Sequence, residues 1–525
     1  MTQCDTNPSR SVKQKRSTKK SKKSKKRTRP QSLDAKFDPD FDVTTRGGAA
    51  LLEKTMRSLG LRRYVKKYLP ERGEAAHYSL EDAVCALMSG LMLGGKGIQA
   101  GECLRGDDLL AEICGLPGGA PSSPTAYRIL CELAGLEERK MGDCYIPSGP
   151  SLGALDMFGA ERKESRLRRV VPEEPEAATD EKREALDRFT SRFAVKCARA
   201  IDKDAMRLHD RYVVFGDATD LEVEGNCFDA ARMGRDGKKI IRWQTLTLGP
   251  ILIAQQLHEG SVDEGLSMPR LLEQGKQTLR EVLGAAARVL ALLDAAYFEK
   301  QIVDPLTDDL KWDFIICANQ MRQSLRRLAE EQPEYVWENT GPDAGRKWKT
   351  SEVCCFSHKP EGWNKSVTIV ARRWIKEGEL GGVWHYSFLG TRMEPGALPR
   401  KLEEKHGYCS AIWMLYGTKQ GHENHYKTPL RDFGLHHPPS CRLGVNQALY
   451  ALATTASNIA MVMRYRVVAK SERGIAFWRL RERYFQIAGY LRRGANTLSV
   501  FLSGANVDAL RQVHWEHAFA QAGLL

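Results

Sequence analysis

Two runs that each stop at an aspartate do most to limit what this chain can fold into. RYVVFGDATD (211–220) is β-branched and aromatic and ends in an acid and a turn; RVLALLDAAYF (288–298) is a buried strand that halts at the same residue type. Between them IIRWQTLTLG (240–249) alternates, PILIAQQLHEG (250–260) reads as a further strand, and SMPRLLEQGKQTLREVLG (267–284) has helical spacing. KWDFIICAN (311–319) adds another strand. Three sequential strands, a helix and more strands predict an α/β sheet, with Asp217 and Asp294 at strand ends, where ligands gather in such folds.

At 525 residues the chain is too long for one core, and roughly 150 residues per domain suggests three or four units. Residues 45–140 read as a helical region. In HYSLEDAVCALMSGLMLGG (77–95) Ser79 is the expected N-cap; in PSSPTAYRILCELAG (121–135) Ser123 caps and Pro124 opens the helix that carries Arg128. That helix suits either a reading helix that enters DNA or a well-capped structural one. A linker and helix are expected over 141–195. A catalytic-type α/β unit follows over 196–465, interrupted at 325–398 by short alternating strands between GPD, KPEG and EGELGG turns, an all-β insertion. The apolar run ALYALATTASNIAMVM (448–463) is a core helix, and 466–525 is expected to be helical and basic.

Charge is uneven. Eleven of the fourteen net positive charges fall in residues 1–30, where KKSKKSKKRTRP (19–30) has no periodic apolar residue, so 1–34 reads as a disordered basic tail. Such an arm gains affinity for nucleic acid by counterion release, and composition alone equally admits an import-type or membrane-surface segment. No apolar window reaches the ~18–20 residues a membrane span needs, and the first thirty residues hold no signal-peptide core. The thirteen cysteines include no C-x-x-C pair, which argues against a zinc ribbon and suggests reduced thiols in a cytoplasmic setting.

The segment YGTKQGHENHYK (416–427) follows the apolar AIWML. On a helix Tyr416, Lys419, Glu423 and Lys427 share one face, either as a solvated ion-pair face or as a ligand surface. Acids converging from separate elements can hold two divalent ions for phosphoryl transfer, and Mg²⁺ accepts such oxygen ligands. Asp217, Asp294 and Glu423 form a candidate set, with the neighbouring basic residues on a phosphate backbone.

In that order, GDATD (216–220), LLDAAYF (292–298), a β-rich insertion and Tyr416-x-x-Lys419-x-x-x-Glu423 resemble the DDE transposases of bacterial insertion sequences. The resemblance extends over roughly 45–520. It implies a ribonuclease-H-like mixed sheet flanked by helices, with Asp217, Asp294 and Glu423 as catalytic ligands of Mg²⁺ or Mn²⁺. It implies double-stranded DNA as partner, both element ends and target, a homodimer or higher oligomer on that DNA, no membrane, and a bacterial cytoplasm, close to the nucleoid. Tyr416, Lys419, Lys427, Arg431 and Arg128 become the expected DNA contacts. Lys419 stands where the family has arginine, exchanging a bidentate grip for a point charge; Leu430 replaces the family's later basic residue, so Lys427 or Arg431 must substitute. A catalytically inactive DNA-binding derivative and a nuclease of the same fold are the alternatives.

Other acids and ligands compete. Asp220 lies close to Asp217, and Glu403 and Glu404 precede the apolar anchor. His422, His425, His436 and His437 raise zinc, but HENH lacks the H-E-x-x-H spacing. Trp243, Trp312, Trp348 and Trp363 are expected in the core or on sheet faces rather than as base-stacking platforms.

Overall fold

A computed structural model of the protein describes residues 43–73, 76–137, 174–224, 227–234, 236–342, 346–379, 382–421, 428–494, 498–504 and 508–525. The basic tail, most of the expected linker, and Glu423, Lys427, His422 and His425 lie outside the described residues.

After the short strand β1 (Val43–Thr44), six helices build the N-terminal region: α1 (Ala50–Leu59), α2 (Leu61–Tyr68), α3 (Leu80–Leu93), α4 (Glu102–Arg105), α5 (Asp108–Ile113) and α6 (Ser123–Ala134). Ser79 caps α3 as expected, its hydroxyl accepting from the Asp82 amide at 3.0 Å, and Gly94 closes the helix at a positive φ of 107° that suits glycine. The cap of α6 differs from expectation. Ser122 takes that role, because Ser123 instead donates its amide and hydroxyl to Glu102 Oε1, at 2.7 and 2.6 Å.

Helix α7 (Asp180–Ala200) leads into β2 (Arg207–Leu208), β3 (Arg211–Glu222), β4 (Arg232–Met233), β5 (Lys239–Leu248), β6 (Ile251–Glu259), α8 (Glu264–Leu283), β7 (Val289–Leu293), α9 (Lys300–Asp308), β8 (Asp313–Cys317) and α10 (Arg322–Glu330). Then come β9 (Glu338–Asn339), β10 (Trp348–His358), β11 (Val367–Lys376), β12 (His385–Thr391), α11 (Arg400–His406), α12 (Tyr408–Gly417), α13 (Leu443–Val462), α14 (Phe477–Tyr484), β13 (Gly489–Arg493), β14 (Leu498–Leu502) and α15 (Ala509–Gln521). The fold is mixed α/β, one large mixed sheet flanked by helices. Its strands run β4-β5-β3-β7-β8-β12-β11-β10-β9, with β6 beside β5 and β2 beside β3. Strands β3, β7 and β8 are parallel; every other pairing is antiparallel.

Two features depart from the sequence reading. The strands of the 325–398 stretch extend this same sheet, because β12 pairs directly with β8 (Leu389 with Cys317), and the stretch opens with part of helix α10. The C-terminal region, expected to be helical throughout, contains the hairpin β13–β14, which joins β1 in a separate three-stranded sheet. Aromatic and β-branched residues at Tyr490, Val500 and Phe501 favour strand pairing there despite the arginines; Tyr490 and Phe501 stack at 5.0 Å.

Alternation along the parallel strands sorts two cores. Val214, Ala291, Leu293 and Ile316 join the large core that includes α8 and α13, while Val213, Phe215, Leu290, Leu292 and Ile315 face Cys409, Ile412 and Leu415 of α12. Trp243, Trp312, Trp348 and Trp363 are buried, in line with a core role. No single described helix is long and apolar enough to cross a membrane.

Candidate active site

The same alternation places the acids. Gly216 pairs with Leu293 and Leu293 with Ile316, so the next residues, Asp217, Asp294 and Cys317, form a row across three parallel strands. Counting in twos from Val213 and Phe215, and from Leu290 and Leu292, puts both carboxylates on the face covered by α12, just beyond its small core. Asp294 directly follows β7 and precedes a 3-10 turn, Ala295–Tyr297. Asp217 is not at a strand end, as expected, but inside β3: its parallel partner stops there while antiparallel pairing with β5 carries the strand on to Glu222.

Helix α12 brings the other side. Cys409, Ile412, Tyr416 and Lys419 follow one another at spacings of three, four and three, a single helical stripe; the helix breaks at Thr418 and is helical again at 419–421. Tyr416 donates its hydroxyl to the Leu293 carbonyl at 3.3 Å, bracing the end of β7. Burial, then the neighbouring Cys317, Asp294 and Asp217, hold its phenol far above the usual range, so it remains a neutral donor. Burial likewise raises the Cys317 thiol.

Lys419 completes the cluster. Its ammonium lies 3.7 Å from Asp217 Oδ1 and 3.9 Å from Asp294 Oδ1, and the residue is only 8% exposed. Tyr416 and Lys419, expected on a phosphate backbone, are therefore turned to β7 and to the carboxylates. With one cation within 4 Å of both acids, two hard oxygen donors on adjacent strands face a common point, the donor type that a divalent metal takes. Among the described residues no three His, Cys, Asp or Glu side chains form a metal-holding group; a third donor would have to come from Glu423, outside them.

The competing residues separate cleanly. Asp220, three residues from Asp217 and so on the other face, pairs with Arg242 at 2.8 Å. Glu404 pairs with Arg400, and Glu403 accepts from the Gly396 amide. His436 and His437 bond the backbone carbonyls of Leu430 and Glu222. Arg431 sits in the π-helical turn Thr428–Asp432 beside Asp432, and Arg128 is exposed on α6. Cys317 was missed by sequence reasoning; its signal was its place one residue after the last apolar position of a parallel strand, the place Asp294 has on β7.

No protein-family model matches the chain, and no curated protein does. Among solved structures it is similar to a piggyBac transposase synaptic complex with hairpin DNA, at 9% identity, covering 90% of this chain and 82% of that chain with a TM-score of 0.37. Two chains this far apart share too little for the likeness to assign residues or chemistry.

Proposed function

We propose that the protein is a DDE-type transposase with a ribonuclease-H-like catalytic sheet, cutting DNA at the inverted-repeat ends of its element and joining them to target DNA. The observation that carries this reading is the pair Asp217 and Asp294, side by side on parallel strands, on one face, under the helix that leads towards Glu423. In this reading Asp217, Asp294 and Glu423 hold Mg²⁺ or Mn²⁺. The ions, when bound, activate an attacking oxygen and stabilise a leaving one. The chain's own part is positional. Tyr416 fixes the end of β7 and with it Asp294, and Lys419 offsets half of the acids' charge when they hold no metal. Arg128, Lys427 and Arg431 contact double-stranded DNA, which the protein grips as a homodimer or larger assembly in a bacterial cytoplasm.

The test is cleavage of a duplex bearing the inverted repeat that flanks the gene. Asp217→Asn, Asp294→Asn and Glu423→Gln should each lower the rate by orders of magnitude while duplex binding persists, and Asp220→Asn should lose far less. A full-rate Glu423→Gln protein, or cleavage in chelator, refutes the site. Cutting without joining would point to a nuclease of this fold; binding without cutting would point to an inactive derivative.

A further inference from the structure

Away from the carboxylates, the edge strand β6 walls a small polar cavity of about 50 Å³ shared with α7, α8 and α13. Its lining includes Arg183 and Asp187 from α7, Gln256 and His258 from β6, Arg270 from α8 and Gln447 from α13. Several of these are committed. Asp187 accepts from Arg270 at 2.9 Å and from Gln274 at 3.0 Å, and Gln447 donates to the Leu257 carbonyl and accepts from the Ala178 amide. Three nitrogens are not: Arg183 Nε, Gln256 Nε2 and His258 Nε2 are buried and meet no acceptor among the described residues. Gln256 is 8% exposed.

A buried donor left unpaired is costly; Arg183 Nε and Gln256 Nε2 are donors as they stand, and an anion beside them selects the His258 tautomer with its proton on Nε2, so the three share one acceptor. Arg270 pairs with Asp187 and Arg183 with Asp180, so each guanidinium meets one carboxylate, while Arg183 Nε still offers a donor to the cavity. Burial, then Arg183, Arg270 and Arg242, lowers the His258 pKa to about 4, so at neutral pH its ring adds no charge and the site favours an acceptor of modest charge. Gln256 and His258, two apart on β6, face the same way, towards Arg270.

We propose that this cavity binds a small free oxyanion of low charge, such as inorganic phosphate in its singly charged form, held by Arg183, Gln256 and His258 and clamping α7 to the sheet edge. The volume admits the anion and leaves no room for a nucleotide. Ordered water is the competing occupant.

Thermal unfolding of the full chain in sodium phosphate and in sodium chloride of equal ionic strength tests this. The expected result is a phosphate-specific, saturable rise in the unfolding midpoint, with one anion per chain by calorimetry. Arg183→Gln, at a partly exposed position, and Gln256→Leu, which keeps the shape and removes the donor, should each lose most of that rise. A midpoint that follows ionic strength alone would leave water as the occupant and overturn the proposal. So would an undiminished rise in both variants, or one produced by duplex DNA and not by phosphate.

Discussion

Replacing Lys419 by Gln separates two roles that one basic residue can play beside two acids. At an effective dielectric of about 20, an ammonium about 4 Å from a carboxylate gains about 4 kcal/mol, and the 3.7 and 3.9 Å contacts bring two such terms into play. Much of that is offset. Lys419 is dehydrated at 8% exposure, while the Asp294 side chain, 54% exposed, is screened by water. Removing one partner of a fully buried pair costs about 3–5 kcal/mol; with one carboxylate half in water, about 1–3 kcal/mol is the expectation for Lys419→Gln. Urea unfolding in chelator measures it. The same substitution should tighten Mn²⁺ binding, since the acids no longer surrender an ion pair to take the metal. At 1.4 kcal/mol per tenfold, that is about 5- to 150-fold, read as the Mn²⁺ concentration that half-saturates the thermal shift. A variant as stable as its parent in chelator, with unchanged Mn²⁺ affinity and weaker duplex binding, would refute this argument and return the ammonium to the DNA backbone.

Three further outcomes are expected. The folded-state pKa of His258, about 4, lies below its ordinary 6.5; the unfolded chain therefore binds more protons between those values, and stability is lost as pH falls through that window, by up to about 3 kcal/mol. In phosphate-free buffer His258→Gln should flatten that acid limb in denaturant midpoints, and an unchanged limb would assign it elsewhere. Cys355, exposed on β10, has its thiol lowered to about 7 by a hydrogen bond from Cys409, so among the cysteines of the described residues it should be the first alkylated by iodoacetamide, at a rate rising through pH 7; peptide mapping that finds another of these thiols first would contradict this. Gly390→Ala would set a methyl 2.1 Å from the Phe298 ring, which follows the Asp294 turn. It should cost about 1–3 kcal/mol, and a variant with the parent's unfolding midpoint would mean that the ring moves aside freely.

The strands that carry Asp217 and Asp294 were legible because RYVVF and VLALL are compositionally strand-like and because an acid following such a run is conspicuous. The reach of β3 past Asp217 was not, since it depends on pairing with β5 rather than on local residues. Lys419 reads from sequence as one of several basic residues; its carboxylate partners lie 202 and 125 positions away along the chain, and only the helical stripe that ends α12 brings them together. Trp243 shows the converse: large, apolar and on an alternating strand, it was expected inside and is 1% exposed. The C-terminal hairpin escaped because arginines at 479–493 look helical until Val43 and Thr44, more than 400 residues earlier, supply a third strand.

Helix α13 is buried along nearly its whole length, touching α3, α6, α7 and β6, and Asn458 bonds both the amide and the carbonyl of Leu252 in β6. An element that packs on the N-terminal helices and on the sheet at once ties the two together through one continuous core. A chimera that swaps residues 45–135 while keeping α13 would set that helix against a surface it never packed on, so such an exchange should fold only when α13 is exchanged or repacked with it.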